Sequence, residues 1–348
     1  MGKCVPFRKQ TCQLHLTQQG PLNEHWRGQI KVNEFEYLCA LEQTCEQNGV
    51  EILYHTMPSS VREKSDCVEL VLTGKEGSYE ILTKILIDAS GDANAVSKAG
   101  YPVEKRDTPQ PATLINDLAG YDINDIDFDK FSAHMDRLIQ DGTLDLQDGQ
   151  GGAFYYHLLN KRISMHVPCE NIETSKGKTK LEITARKTLR KILQAFRTFP
   201  GLENVYVMNF AVECGVRESV RIVGETQMTV ENYLSGKKYK DAICYCFYPV
   251  DEHLPTSVRK VYHKEGVVPT IPYTALIPKN SKRILVAGRI ISSDPDTNSA
   301  VRVQAPCMAM GQVAGVAGAI AAKNNIAVLD VPLDQLKTNL KDLGAIVP

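Results

Sequence analysis

Excess charge of one sign, long apolar runs and paired cysteines are all scarce in this sequence. Its 40 Lys and Arg are balanced by 41 Asp and Glu, for a net charge of -1, so no basic field speaks for a nucleic acid or an anionic membrane surface. The longest small and apolar run, around residues 313–322, is well short of the roughly 20 residues a bilayer span needs. No charged stretch, apolar stretch and cleavage site open the chain, so a secretory leader is not expected. The ten cysteines are scattered and mostly embedded in apolar runs, which suits reduced thiols in a cytoplasmic protein better than a disulfide frame. Cys244 and Cys246 are the one close pair. With no second pair at zinc-like spacing, no metal site is expected.

What remains is a chain of 348 residues, 43% apolar and 23% charged, of ordinary globular composition and long enough for two domains. Residues 266–325 organise it. A Pro-bounded segment leads through a turn at 279–282 into Arg283-Ile284-Leu285-Val286-Ala287, ending at Gly288-Arg289. That short, β-branched run reads as a buried parallel strand. After a polar loop, Pro306 suits a first helical turn, and the helix that follows is rich in Gly and Ala. Each interior Gly costs roughly 1 kcal/mol against Ala, so Gly311, Gly315 and Gly318 imply close backbone approach, by a ligand or by a neighbouring strand. Strand, glycine and helix start together can rest an anionic or polarised ligand on backbone N–H groups. Tight packing with no ligand fits the same spacing.

A second anchor precedes it. Residues 84–88 read as a buried strand that ends in Asp88-Ala89-Ser90-Gly91-Asp92, followed by a helical run at 93–99 closed by Gly100. Such a turn meets nucleotides at the carboxyl end of a parallel sheet. Asp88 and Asp92 read equally as a helix cap and a solvated charge.

These two stretches resemble the FAD-dependent oxidoreductases of the glutathione-reductase-like type. The resemblance implies that Asp88, Ala89, Ser90, Gly91 and Asp92 meet the nucleotide, that Gly288 and Arg289 flank the cofactor, and that Met310, Gly311 and Gln312 lie near the flavin. Ser90 stands where the family usually has Thr. The likeness continues through residues 215–225 and 248–253 and covers roughly residues 30–325.

Around the anchors, the spacing predicts a helix at 33–47 with Asn33 as N-cap, a strand at 50–56 and a hairpin over 67–82. Further helices are expected at 127–140 and 180–196, and strands at 153–159, 162–168 and 205–214. The Gly-rich stretch 149–152 reads as a flexible turn, because no helix start follows it. Residues 105–268 form the expected substrate domain, and 326–348 a C-terminal tail.

Two constellations there could carry chemistry. Arg217 and Arg221 are four apart, so on a helix they would share a face and clamp a carboxylate. Ion pairs with Glu218 or Glu225 are the bland alternative. Asp251 stands two residues from His253, and a carboxylate that orients an imidazole raises its basicity for proton transfer. A structural or solvated histidine fits as well. Arg302 is a third candidate for holding an acidic substrate.

The family's opening strand and Gly-x-Gly-x-x-Gly turn, with an acidic residue about 20 positions on, do not occur in this sequence. A late start, a split gene or a shortened relative would each produce that pattern, and each implies weak or absent FAD binding by this polypeptide alone. The resulting expectation is an α/β protein: an incomplete Rossmann-type, FAD/NAD(P)-binding-like domain from residues 1–104 and 269–325, with an inserted α+β substrate domain. It would be an FAD-dependent oxidoreductase acting on a small, acidic molecule, as a homo-oligomer or with a missing N-terminal partner segment. The alternative is a non-catalytic binding or assembly subunit on the same scaffold.

Overall fold

The computed structural model describes residues 33–348. Helix α1 (Glu34–Gln47) starts where expected, because the Asn33 side chain accepts from the Glu36 N–H at 3.1 Å. The strand expected at 50–56 does not form. His55 takes a left-handed φ of 55°, which breaks an extended run, and the Tyr54 hydroxyl is turned back to Glu42 on α1 at 2.5 Å. Pairing begins one residue later, in an antiparallel sheet of β1 (Met57–Glu63), β2 (Val68–Gly74) and β3 (Gly77–Thr83). The last two form the expected hairpin, closed by Gly74 opposite Gly77.

Next come β4 (Leu86–Asp88), the short helix α2 (Asn94–Lys98) and β5 (Val103–Lys105). The chain then builds a second core from β6 (Ala112–Ala119), α3 (Phe128–Gln140), α4 (Phe154–Leu159), β7 (Arg162–Val167), α5 (Ser175–Phe196) and β8 (Tyr206–Phe210). Strand β6 lies between β7 and β8. Asp127 caps α3, and Phe131, one turn in, meets Phe196 and Phe199 edge-on at 5.4 and 5.3 Å. Residues 153–159, read as a strand from their aromatics, form α4 instead. Phe154, His157 and Leu158 are the buried ones, the i, i+3, i+4 set of a helix. The turn at 149–152 therefore does lead into a helix, with Gln150, Gly151 and Gly152 all at positive φ.

The remaining elements return to the first core: β9 (Val220–Ile222), α6 (Val230–Leu234), β10 (Ala242–Tyr245), β11 (Val250–His253), β12 (Val258–Val261), β13 (Thr270–Pro272), β14 (Ile284–Val286), α7 (Pro295–Val301), α8 (Gln304–Asn324) and α9 (Leu333–Asp342). Ile284, Leu285 and Val286 are fully buried, each worth roughly 1.5–3 kcal/mol of hydrophobic stabilisation. They pair in parallel with Leu86, Ile87 and Asp88, which makes 284–286 the parallel strand the sequence predicts, whereas the strand before the 88–92 turn, expected buried, leaves Ile87 exposed. The whole second core lies in the connection between these two strands. Residues 220–268, expected with the substrate domain, contribute Val220, Met228, Tyr233, Ile243 and Val250 to the first core. The expected tail also joins it, through Val328, Leu336 and Leu340.

Two readings of the C-terminal stretch change. The expected polar loop before Pro306 holds α7, capped by Asp294 with Pro295 at its first turn, and α8 starts two residues before Pro306. Helix α8 has 21 residues and is, by length and composition alone, long and apolar enough to cross a membrane. Met310, Val313, Ala314, Ala317 and Ile320 on it are buried in the first core. Of its glycines, only Gly318 shows the strand contact that close approach demands: a Cβ there would stand 3.3 Å from Ile85 and 3.4 Å from Ile87. Gly311 and Gly315 have nothing within 4 Å on their open side.

Candidate functional site

The loop leaving β4 folds around its own side chains. Asp88 accepts from the N–H groups of Ser90 at 2.9 Å, Ala95 at 2.8 Å and Val96 at 3.1 Å, so it caps α2. Ser90 Oγ accepts from the N–H groups of Asp92 and Asn94. Gly91 takes φ +75°, and a Cβ on it would lie 2.6 Å from Arg289 Cζ. The Arg289 guanidinium therefore lies directly over Gly91.

Asp92 is no solvated charge. Its carboxylate meets Ser219 Oγ at 2.7 Å, Arg289 Nη2 at 3.1 Å and Lys178 Nζ at 3.1 Å. Burial would raise its pKa, but the Ser219 hydrogen bond and the Arg289 and Lys178 charges outweigh burial and lower it. Lys178 lies on α5, so Asp92 ties the two cores together. Beside Ser219 opens a cavity of about 210 Å³ lined by Lys105, Arg106, Glu170 and Glu173 among others.

Gly288 and Arg289 stand between this loop and the start of α8. A Cβ at Gly288 would meet Cys307 Sγ at 3.9 Å, and Arg289 Nε is buried with no hydrogen-bond partner among the described residues. Ala89 and Gly91 belong to the same turn. The three helix residues named from the sequence divide: Met310 is buried in the core, whereas Gly311 and Gln312 are exposed.

The second group gathers from three separate segments. Arg217, Arg302, Asp251 and His253 meet; Arg221 does not join them. The helix assumed for 217–221 is absent, because Val220, Arg221 and Ile222 pair with β5. Arg221 Nε donates to the Ser293 carbonyl at 2.9 Å, and its Nη1 lies 4.0 Å from Glu218. The bland ion-pair reading holds for Arg221.

Arg217 donates to the Pro111 carbonyl. Arg302 donates to Gln110 Oε1 at 3.2 Å and to the Asp251 carbonyl at 3.3 Å. Among the described residues neither guanidinium has a carboxylate within 4.0 Å, and Arg302 Nε is buried without a partner. Burial, then the neighbouring Arg302 charge, pushes Arg217 down to about 10. Burial likewise lowers Arg302, against the opposing pull of Glu218 and Asp251.

His253 Nε2 lies 3.4 Å from Asp251 Oδ2, and its Nδ1 lies 3.1 Å from His166 Nε2. Tyr248 OH donates to Asp251 Oδ2 at 3.2 Å. Burial and the two guanidiniums draw the proton off His253 while Asp251 draws it back, and the net effect lowers its pKa. Burial, followed by the Arg217 and His253 charges, takes His166 down to about 4. Burial and Asp251 push Tyr248 up to about 12.

Sequence reasoning passed over Gln110, His166, Lys178, Ser219 and Tyr248. His166 carried no signal in the sequence: in β7 it alternates with Ile163, Met165 and Val167 as a solvent-facing residue would, and only the fold buries it, where a polar group needs a partner. Cys244 and Cys246 are buried, with Cys246 accepting from Tyr233 OH at 3.0 Å. No cluster of metal-ligating side chains occurs among the described residues.

A family model described as FAD dependent oxidoreductase matches residues 7–340. The chain belongs to the FAD-dependent oxidoreductase family. No curated protein sequence matches this family member. Among solved structures it is similar to p-nitrophenol 4-monooxygenase from Pseudomonas putida (13% identity, 90% of this chain and 60% of that one, TM-score 0.40). It is also similar to the flavin-dependent halogenase CmlS (12% identity, 87% and 42%, TM-score 0.33) and to anhydrotetracycline hydroxylase from Streptomyces rimosus (23% identity, 26% and 18%, TM-score 0.23). The chain spans less than two thirds of the length of each, and likenesses this distant carry no argument about activity.

Proposed function

We propose that this family member oxidises or reduces a small anionic organic molecule with FAD, and that Arg217 and Arg302 hold the anion. The observation that carries the reading is the meeting of two largely desolvated guanidiniums with no carboxylate within 4.0 Å of either among the described residues, Asp251 and Glu218 offsetting their burial only in part and from farther off. Two cations held together out of water cost stability, and a bound anion would remove that cost and be gripped in return. Arg221 is left out of this role. His253, oriented by Asp251, gives or takes the proton that accompanies electron transfer.

FAD would supply the electron chemistry when bound. The donor set suits one end of a flavin nucleotide: Arg289 Nε, without a partner among the described residues, the φ +88° glycine Gly288 and the loop Asp88, Ala89, Ser90, Gly91 and Asp92. Gly311 and Gln312 face outward on α8; Met310 would act only by shaping the helix from inside. The glutathione-reductase-like subtype and an incomplete Rossmann-type domain with residues 112–216 as the inserted unit belong to this proposal, supported by the parallel β4–β14 pair. So does a cytoplasmic location.

The test is to titrate the purified chain with FAD, then follow anaerobic bleaching of the flavin by small carboxylates and phenolates against their neutral esters and ethers. Bleaching by the anions alone, lost in Arg217→Met and Arg302→Met, supports the reading. Equal rates with neutral analogues overturn it.

A second reading has its own observation. Met308, Gly311, Gln312 and Gly315 on α8 and Ile87 on β4 are exposed among the described residues, an uncovered small and apolar face that suits a binding or assembly subunit, joined to another copy or to a further polypeptide. Failure of the chain to take up FAD at any concentration favours it.

A further inference from the structure

We propose that Asp251, His253 and His166 form a row of hydrogen bonds holding a single surplus proton, with His166 positioning the His253 ring by fixing which of its nitrogens is protonated. The inference deepens the reading above, which gives His253 the proton. It starts from an acceptor that cannot change role.

The Leu254 carbonyl lies 2.9 Å from His166 Nδ1. A carbonyl only accepts, so Nδ1 carries the hydrogen. In neutral His166 the other nitrogen, Nε2, then holds a lone pair, which faces His253 Nδ1 at 3.1 Å. His253 must donate there. Its Nε2 in turn faces the Asp251 carboxylate at 3.4 Å.

If His253 were neutral and already protonated at Nδ1, its Nε2 lone pair would point at an anionic oxygen. If it were neutral and protonated at Nε2, two ring lone pairs would face each other across the histidine contact. Either arrangement loses one contact of the three. All three are made only when the row carries one proton beyond two neutral rings and an ionised carboxylate. That proton can reside on His253 Nε2 or Asp251, or on His166 with His253 protonated at Nε2 alone. It belongs to the row as a whole.

The groups facing the row set how firmly the proton is held. Arg217 and Arg302 oppose it, as does Lys260, whose Nζ lies 3.9 Å from Asp251 Oδ1. The Tyr248 hydroxyl donates to Asp251 and keeps that carboxylate ionised. A bound anion on the two guanidiniums would cancel the opposing charge and tighten the row's hold, so anion binding and proton uptake are coupled. The backbone N–H of His253 donates to Gln110 Oε1 at 2.9 Å, the oxygen that also accepts from Arg302, and so links the row to the anion-holding arginine.

The experiment is nitrogen NMR of the full chain, labelled with ¹⁵N in histidine, from neutral pH down to about 4, the range into which burial and the guanidiniums draw the two rings. His253→Asn and His166→Leu assign the two rings. The expected result is a protonated Nδ1 on both rings, a lone pair on His166 Nε2, and loss of one proton from the pair as pH rises. In His166→Leu the constraint on Nδ1 is gone, and His253 shifts to the Nε2–H form facing Asp251. In His166→Gln, whose side-chain oxygen can accept the same bond, the Nδ1–H form is kept. Adding benzoate as a probe anion moves the proton loss to higher pH. A His166 ring protonated at Nε2 alone, or a His253 form identical in all three proteins, overturns the proposal. No step of this test uses flavin, so a failure to bind FAD does not alter its outcome.

Discussion

Arg289 Nη2 stands 3.1 Å from Asp92 Oδ1 and its guanidinium covers Gly91, so the loops leaving the two parallel strands are joined by one side chain. Gly91→Ala should therefore disturb two things: a left-handed φ that costs an L-residue roughly 1 kcal/mol, and the seat of the guanidinium. The expected result is a loss of about 1–3 kcal/mol in urea denaturation. Because the guanidinium is the free end of a flexible side chain, Arg289→Ala should relieve the steric part. The double variant should lose less than the sum of the single losses. Strict additivity would show that the two loops are not coupled through Arg289.

The same desolvation that suits Arg217 and Arg302 to an anion makes them unfavourable in its absence. Arg217→Met should leave the free protein as stable or raise its stability by about 1–3 kcal/mol. Affinity for an anionic ligand should drop about 10- to 100-fold, the equivalent of one hydrogen bond to a charged group. Thermal melts with and without ligand separate the two effects. A variant less stable in the free state would mean that the guanidinium serves the fold.

How far this could be read from sequence follows from the range of each interaction. Ile284-Leu285-Val286 announced a buried parallel strand because nothing polar interrupts it, and Asp127 announced the start of α3 because capping is local. Residues 153–159 were misread because aromatics suit strands as well as helices, and the buried spacing of Phe154, His157 and Leu158 decided between them. Arg217 and Arg221 were set on a helix that the pairing of Val220–Ile222 with Val103–Lys105 forbids, a contact between segments over 100 residues apart. Of the second group, Asp251 and His253 were visible through their short spacing. His166 was not, since its partner lies 87 positions away.

The thiols offer a check on the two cores. Burial pushes Cys169 up to about 11 and Cys214 up to about 12, and raises Cys244 and Cys246 as well, so the reactive thiolate is scarce in all four. Labelling these thiols in the native protein should proceed only as fast as the cores open, while the partly exposed Cys39 and Cys45 react directly. Peptide mass spectrometry after timed labelling would show the order. Early modification of Cys244 would mean that the β10 region opens on its own.

Acid should destabilise the second core through His157. Its ring is buried, its Nε2 has no hydrogen-bond partner among the described residues, and burial takes its pKa down to about 4, with only a backbone hydrogen bond at Arg162 acting the other way. An unfolded histidine takes its proton near 6.5. Between about 6.5 and about 4 the unfolded chain therefore binds the proton and the folded chain does not, and stability falls as pH falls through that window. Below about 4 both states are protonated and the loss levels off at on the order of 3 kcal/mol, the free energy of moving a pKa from 6.5 to about 4. Above 6.5 the ring contributes no slope. His166, also near 4, adds its own share over the same range. His157→Leu should remove the His157 share alone and leave those of His166, His253 and the carboxylates whose pKa the fold lowers, so urea denaturation at a series of pH values should give a shallower slope in the variant. Equal slopes in the two proteins would mean that the folded state protonates His157 as readily as the unfolded chain, through a local opening of α4.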